Sequence, residues 1–180
     1  MKGLLLITLL SFTLASCFKT DNRNLGVYNV ADGYIRYQLN NFPFEINGGY
    51  SSFSNTGIGV YGRKQLKTTT GENTRYVIVG QLSARRSITI VIATDSLTTG
   101  TYTTSSSSNP ITTTKFDSVQ YSVNRSEDVL NLDIIRNTNG TIDGTFSGKL
   151  SNATTDTGTT MYAPGLISNG VFKNIAISYQ

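Results

Sequence analysis

From residue 25 onwards the chain consists of short apolar or alternating runs, separated by Gly, Asn, Ser or Thr about every ten residues. This pattern is typical of β-strands joined by turns. The clearest run is 141–150, where apolar residues and glycines alternate with polar residues, so one side is expected to be buried and the other wet. Asn139-Gly140 precedes it and favours a tight turn, which predicts a hairpin between 129–135 and 141–150.

The same reasoning predicts further strands at 34–39, 42–46, 57–62, 76–82, 87–93 and 165–179. In the last of these, Phe172 is out of phase with Ile175 and Ile177, which predicts a β-bulge near Lys173-Asn174. No stretch beyond the first residues shows helical periodicity. We therefore expect an all-β fold, a single antiparallel β-sandwich, with a small up-and-down, lipocalin-like β-barrel as the alternative.

Composition agrees with a β-fold. The chain has 17 Gly, 10 Tyr and no Trp, and it is rich in Thr, Ser and Asn, residues that suit pleated strands and the turns between them. The formal net charge is +4, and only 14% of the residues are charged. A single cysteine excludes a disulfide within the chain, so the fold is expected to depend on burial and hydrogen bonds.

The first seventeen residues have the order of a secretory signal: a lysine at position 2, a short apolar run, small residues and then Cys17. The apolar run is too short to cross a membrane as a helix, which needs roughly 20 residues. Its end, Leu14-Ala15-Ser16-Cys17, resembles the bacterial lipobox, with Leu14, Ala15 and Ser16 as the signal-peptidase recognition residues. We expect a signal peptide at 1–16, an acylated cysteine and flexible tether at 17–24, and one β-domain at 25–180.

The resemblance to bacterial lipoproteins implies that Cys17 carries diacylglycerol and an acylated amino end, so the membrane is a partner through this lipid. Several acyl chains make such an anchor effectively permanent. By similarity to lipoprotein sorting signals, Phe18 directly after the cysteine implies the outer membrane. The periplasmic and the cell-surface side both remain open.

Four short motifs occur in order along the chain: Glu45-Ile46-Asn47-Gly48, Thr99-Gly100-Thr101-Tyr102, Gly144-Thr145-Phe146-Ser147-Gly148 and Ile167-Ser168-Asn169-Gly170-Val171-Phe172. Together they resemble the small lipid-anchored β-domain proteins of uncharacterised function that are abundant in Bacteroidetes. The resemblance covers most of residues 42–178. Because each motif consists of turn and core positions, it implies the fold and little about activity.

Candidate chemistry is sparse. The chain has no histidine, which excludes a Ser-His or Cys-His nucleophile and the usual zinc sites. Paired carboxylates could still hydrolyse a glycosidic bond. The candidates are Glu45, Glu72, Asp117, Glu127, Asp128, Asp133 and Asp143. A calcium site around Glu127, Asp128 and Asp133 lacks the spacing of a dedicated loop, so we expect no metal. Because the chain has no histidine and no recognisable catalytic motif, we also expect no enzyme and no cofactor.

Two other groups of residues stand out. Arg63, Lys64, Arg85 and Arg86 form a candidate basic contact patch on loops, although a nucleic-acid site would need a denser stripe, so we expect no nucleic-acid partner. Asp95-Ser96-Leu97 and Asp117-Ser118-Val119 resemble the O-glycosylation sites of exported Bacteroidetes proteins, which implies glycans on Ser96 and Ser118.

The sequence therefore favours a binding module without catalytic activity. We expect it to recognise a glycan, an envelope component or a partner protein through loops such as 63–74, 103–113 and 152–165. Two alternatives from other classes remain: a glycoside hydrolase that uses two carboxylates, and a barrel that carries an apolar ligand.

Overall fold

A computed structural model describes residues 33–48, 59–66, 74–104, 111–124, 127–161 and 163–179. The residues that resemble a lipobox, Cys17, the predicted tether and Glu72 lie outside these residues. The described part forms thirteen strands and the turns between them, without a helix. The strands are β1 (Tyr34–Leu39), β2 (Phe42–Asn47), β3 (Gly59–Gln65), β4 (Arg75–Ser83), β5 (Arg86–Ala93), β6 (Gly100–Thr103), β7 (Ile111–Phe116), β8 (Val119–Ser122), β9 (Leu130–Thr138), β10 (Thr141–Leu150), β11 (Asn152–Thr155), β12 (Thr160–Met161) and β13 (Gly165–Tyr179). The predicted all-β fold is confirmed.

The described part of the chain contains no helix with the length and apolar character that a membrane span requires.

The strands form one curled, open sheet that is best described as two halves. The first half-sheet contains β2, β1, most of β13, β10, β9 and β6, in that order. The second half-sheet contains β3, β4, β5, β7, β8, β11 and β12, also in that order. Such a curled sheet is consistent with either a β-sandwich or a barrel.

The last strand, β13, joins the two halves. Its residues 165–176 pair with β1 and β10, and its end at 177–179 pairs with β3 of the second half-sheet. The register shifts twice along the strand, at Asn169 and at Asn174, and both residues have positive φ. The bulge predicted near Lys173-Asn174 is therefore confirmed. Each bulge bends the strand, which allows β13 to leave one half and reach the other.

The pairing of β13 with β3 is parallel, whereas the other strand pairs of the described part are antiparallel. This pair departs from the purely antiparallel arrangement predicted from the sequence. It arises because β3 and the end of β13 are far apart in the chain, so no hairpin dictates their relative direction.

The predicted hairpins follow turn chemistry. Asn139 and Gly140 have φ values of 52° and 72°, as a tight turn between β9 and β10 requires. Asn40 and Asn41 also have positive φ and connect β1 to β2. One expectation is corrected: residues 152–165, predicted as a loop, contain β11 and β12. This hairpin forms because Ala153 is completely buried and anchors the threonine-rich segment to the core.

The core lies between the two half-sheets. Ile35 and Ile46 of the first half-sheet approach Gly80 of the second. A Cβ added to Gly80 would lie 3.0 Å from the terminal methyl of Ile35 and 2.9 Å from that of Ile46. The ring of Phe44 packs edge-on against Phe116, with their centroids 5.5 Å apart. The largest completely buried side chains are Phe172, Ile35, Ile46, Ile78, Ile88, Ile90, Ile92, Leu130, Leu132, Ile134, Ile142 and Leu150.

Candidate functional site

The outer face of the first half-sheet is polar because its strands alternate. In β10 the residues Ile142, Phe146 and Leu150 are buried, whereas Thr145 and Ser147 lie on the opposite side and are at least partly exposed. A strand places successive side chains on opposite faces, so one face packs on the core and the other faces water. The predicted division of this strand into a core side and a wet side is confirmed.

The register places outward residues of six strands in one row. Each residue of the row is the cross-strand partner of the next, in the order Thr101, Asp133, Thr145, Val171, Arg36 and Glu45. Adjacent strands are ~4.8 Å apart, so the row extends over about 24 Å. We call it the first row.

A second row lies beside the first and is formed by Asn131, Ser147, Asn169 and Gln38. The amide of Asn169 donates to Oε1 of Gln38 at 3.1 Å, and the hydroxyl of Ser168 donates to the same oxygen at 3.3 Å. These bonds join β13 to β1 at the bulge of Asn169 and fix the position of two amide side chains.

An open groove of about 550 Å³ lies where the two rows cross β9, β10 and β13. It is lined by Asn131, Asp133, Thr145, Phe146, Ser147, Ser168, Asn169, Gly170 and Val171. Hydroxyls, carboxamides and a single carboxylate therefore meet in one concave surface, next to the methyl groups of Val171. A surface on which several polar groups converge in this way can hold a ligand by hydrogen bonds.

Two carboxylates of the first row have different partners. Asp133 accepts a hydrogen bond from the Thr101 hydroxyl at 2.5 Å. Glu45 accepts bonds from Asn47 at 2.8 Å and from the Arg36 guanidinium at 3.1 Å. The Asn47 hydrogen bond and the Arg36 guanidinium lower the pKa of Glu45. The charge of Glu45 is therefore balanced, whereas Asp133 brings a negative charge to the groove.

The other predicted carboxylates are held by structural partners. Asp143 forms a two-point ion pair with Arg136, with both N–O distances at 2.8 Å. Asp117 lies 3.4 Å from Arg86, and Glu127 is exposed in a turn. These contacts place Asp117 and Asp143 against cations rather than against a second carboxylate.

Asp128 is buried, with 4% of its surface exposed. Its carboxylate accepts bonds from the backbone N–H groups of Asn124 and Ser151, at 2.7 and 2.6 Å, and from the Ser151 hydroxyl. Burial alone would raise the pKa of Asp128, but these hydrogen bonds, helped by the charge of Lys149, outweigh it and lower the pKa. Asp128 thus ties the start of β9 to the end of β10.

The calcium site considered around Glu127, Asp128 and Asp133 does not form. The oxygens of Asp128 are occupied by protein donors, and Asp133 lies five residues further along β9 in the groove. Within the described residues, no three acidic or cysteine side chains gather as a metal site would require.

The four residues of the predicted basic patch are separated into two pairs. Arg63 and Lys64 lie in β3, opposite Val77 and Tyr76 of β4, and the Lys64 ammonium lies 5.4 Å from the centre of the Tyr76 ring. Arg85 lies in the β4–β5 turn. β4 ends at Ser83, six residues beyond Val77, so the turn that follows it is roughly 20 Å from Arg63.

Arg86 lies beside Arg85 but at the start of β5, where its guanidinium is 5.3 Å from the centre of the Phe116 ring. Only one of the four cations, Arg85, is therefore on a loop. The expectation of a single basic patch on loops is corrected, because the hairpin carries Arg85 and Arg86 to the far end of β4.

The two predicted glycosylation residues are both exposed. Ser96 lies in the bend after β5, and Ser118 lies in the β7–β8 turn next to Asp117, whose φ is positive. Their backbone carbonyls accept bonds from Thr94 and Asp156. Both hydroxyl positions are accessible to a modifying enzyme.

Sequence reasoning placed recognition on loops and missed most of the groove. Of the predicted loops, residues 67–73 and 105–110 lie outside the described part, and 152–165 contains a hairpin. Asp133 was a candidate carboxylate, but Asn131 and Gln38 were not singled out, and Asn169 was noted only within a motif of turn and core positions. The alternation in 141–150 did indicate that Thr145 and Ser147 face water, and the Asn139-Gly140 turn indicated that this strand pairs with β9. The register shift next to Asp143 that places Thr145 opposite Asp133, and the pairing of β10 with β13, have no such local signal.

The chain matches no protein-family model, and it has no significant match among curated proteins or among solved structures.

Proposed function

We propose that this protein is a lipid-anchored binding module of the cell envelope, without catalytic activity, that binds its ligand on the outer face of the first half-sheet. The observation that carries the proposal is the groove in which the two polar rows meet. A rigid sheet holds these side chains in place, so a ligand does not have to order them on binding. The ligand classes are those expected from the sequence: a glycan, an envelope component or a partner protein.

The arrangement of the carboxylates supports a binding role over hydrolysis. A glycoside hydrolase needs two carboxyl groups that face each other across the scissile bond. The groove contains Asp133, whereas Asp143 and Asp117 are paired with arginines and Asp128 is enclosed by donors. The tight contacts around Gly80 likewise favour a filled core over a cavity for an apolar ligand.

The anchor rests on the lipobox. We propose that Cys17 is acylated, that the outer membrane is the location, and that the chain belongs with the lipid-anchored Bacteroidetes β-domain proteins that it resembles. Changing Cys17→Ala should abolish labelling with radioactive palmitate and release the protein from the membrane fraction. Labelling that persists in this variant would contradict the anchor. Protease treatment of intact cells, with a periplasmic protein as control, then distinguishes the two sides of the outer membrane.

Binding is tested with a variant that fills the groove. Ser147 is exposed in β10, so Ser147→Arg should place a long side chain in the groove while leaving the core intact. Gln120→Arg adds the same charge at an exposed site on β8 of the second half-sheet and is the matched control. The full chain, purified in detergent, is titrated against washed outer membranes, peptidoglycan and extracted polysaccharide.

Saturable binding to one of these fractions is expected, and it should be lost in Ser147→Arg and kept in Gln120→Arg. The absence of saturable binding to all three fractions would contradict the proposed function. Equal binding by the two variants would contradict the assigned surface. Release of reducing sugar by the wild type, lost in Asp133→Asn, would establish the hydrolase instead.

A further inference from the structure

Resting on the proposed function, we infer that the groove binds a neutral glycan and that Asp133 is the acceptor for its hydroxyl groups. The groove presents acceptors and donors side by side: the Asp133 carboxylate, the Thr145 and Ser147 hydroxyls, and the carboxamides of Asn131 and Asn169. Sugar hydroxyls both donate and accept, so they can satisfy such a mixed set. A cationic ligand without hydroxyls could only donate, so the donors of this set would be left unused.

The charge within the groove favours a neutral ligand over an anionic one. Asp133 accepts a hydrogen bond from the neutral Thr101 hydroxyl, and its negative charge faces the groove. The cation of the first row, Arg36, is paired with Glu45 at 3.1 Å. The residues that line the groove include this carboxylate and no lysine or arginine, so a sulfated or uronic-acid polysaccharide would meet a like charge there. Neutral sugar rings avoid this repulsion.

Hydrogen bonds from sugar hydroxyls to a carboxylate are stronger than those to a neutral oxygen. The position of the carboxylate is held from the side by Thr101 on the neighbouring strand β6. Because Asp133 is fixed in this way before binding, it can accept two hydroxyls of one ring without losing side-chain freedom. This geometry assigns to Asp133 the main polar contact.

The groove also has an apolar contact for a sugar ring. Val171 is half-buried and is the register partner of Thr145, so its methyl groups lie beside the polar side chains in the first row. The C–H face of a pyranose can cover these methyls while the ring hydroxyls reach Thr145 and Asp133. The row continues over six strands, and the surface can therefore accept several linked sugars across the sheet.

The test compares two variants with the same change of charge. Asp133→Asn removes the carboxylate from the groove. Asp156→Asn removes a carboxylate from an exposed site of the second half-sheet, where Asp156 pairs with Lys115 at 2.8 Å. A third variant, Thr145→Val, removes a groove hydroxyl but keeps a β-branched side chain of similar shape. The full chain in detergent is titrated by calorimetry with a neutral β-glucan, a neutral α-mannan and an anionic polygalacturonate.

We expect binding to a neutral polysaccharide, weakened about tenfold or more by Asp133→Asn, since a hydrogen bond to a charged group is lost. Thr145→Val should weaken it less, and Asp156→Asn should match the wild type. The inference is overturned if polygalacturonate is the tighter ligand, or if Asp133→Asn binds as the wild type does.

Failure of the inference is distinguishable from failure of the proposed function. If none of the purified polysaccharides binds but an envelope fraction does, and Ser147→Arg abolishes that binding, the neutral-glycan assignment is wrong and the binding surface stands. Thermal unfolding of each variant shows whether it is folded. An Asp133→Asn protein with the wild-type melting temperature and unchanged glycan binding contradicts the role of Asp133 directly.

Discussion

The carboxylate of Asp143 accepts a hydrogen bond from the backbone N–H of Asn174 at 2.7 Å. Asn174 is the bulge residue of β13, with a φ of 53°, and it lies three residues before the parallel pairing with β3 begins. The same carboxylate is held by both nitrogens of the Arg136 fork, and Arg136 also donates to the Asn174 side chain at 2.7 Å. Asp143 thus holds the bend at which the last strand passes from one half-sheet to the other.

Replacing Asp143 should destabilise the whole domain. Asp143→Ala leaves the Asn174 N–H without its acceptor, which costs about 1 to 3 kcal/mol in the free energy of unfolding. Arg136→Gln is the control, because it keeps the bond between Asp143 and the Asn174 backbone and should therefore cost less. Urea unfolding of both variants measures the difference. An equal loss in the two would show that the backbone bond is not what holds the bend.

Acid should weaken the same contact. The hydrogen bond from Arg136, acting against partial burial, lowers the pKa of Asp143 from its ordinary value of 3.8. A carboxyl with a lowered folded pKa contributes stability above its unfolded pKa and loses it as the pH falls through the folded value. The wild type should therefore lose stability relative to Asp143→Ala below about pH 4. A constant difference from pH 7 to pH 2 would contradict this.

Alkali should act on a different residue, Tyr37 of β1. Burial between the half-sheets, partly offset by the hydrogen bond to Thr114, raises the pKa of Tyr37 from 10.0 to about 12. Thr114 donates its own proton to the Ser87 carbonyl at 2.9 Å, so Tyr37 is the donor in their 2.9 Å contact. A raised pKa stabilises the fold below pH 10, and this contribution is lost as the pH rises through the folded value.

Between pH 10 and pH 12 the free energy of unfolding of the wild type should therefore fall by about 2 to 3 kcal/mol more than that of Tyr37→Phe. At pH 7 the variant should be less stable by about 1 kcal/mol, because one buried hydrogen bond is absent. Guanidinium unfolding at a series of pH values measures both quantities. If the two proteins lose stability in parallel above pH 10, the phenol does not titrate as its burial requires.

Two strand glycines should respond differently to the same substitution. A Cβ on Gly144 would collide with the backbone carbonyl of Asp133 and with the Phe172 ring, whereas a Cβ on Gly80 would meet the methyl ends of isoleucine side chains. Gly144→Ala should therefore lower the free energy of unfolding by about 1 to 3 kcal/mol. Gly80→Ala should lower it less, because the ends of the isoleucine side chains can shift. Thermal unfolding ranks the two, and the reverse order would contradict the packing at β9, β10 and β13.

Local features of the fold were predictable because they depend on neighbouring residues. Asn139-Gly140 requires a turn of positive φ, and the alternation in 141–150 requires one buried face. The change of phase between Phe172 and Ile175 required an extra residue, which is the bulge at Asn174. In each case the signal lies within a few residues of the feature.

Features that depend on distant residues were not predictable. The parallel pairing of β13 with β3 joins residues more than a hundred positions apart, and no local pattern encodes it. The separation of Arg63 from Arg85 follows from the register of β4. The groove has the same origin, since Asp133, Thr145 and Val171 become neighbours only when three strands pair.

The most direct test of the account is to observe the groove while the ligand binds. Asn131 and Asn169 line the groove and carry side-chain amides, whose nitrogen-15 NMR signals report contact. Asn152 on β11 of the second half-sheet is the internal control, with an amide that donates to the Val123 carbonyl. On saturation with the envelope fraction that binds, the Asn131 and Asn169 signals should move and that of Asn152 should not. Movement of the Asn152 signal alone would contradict the account.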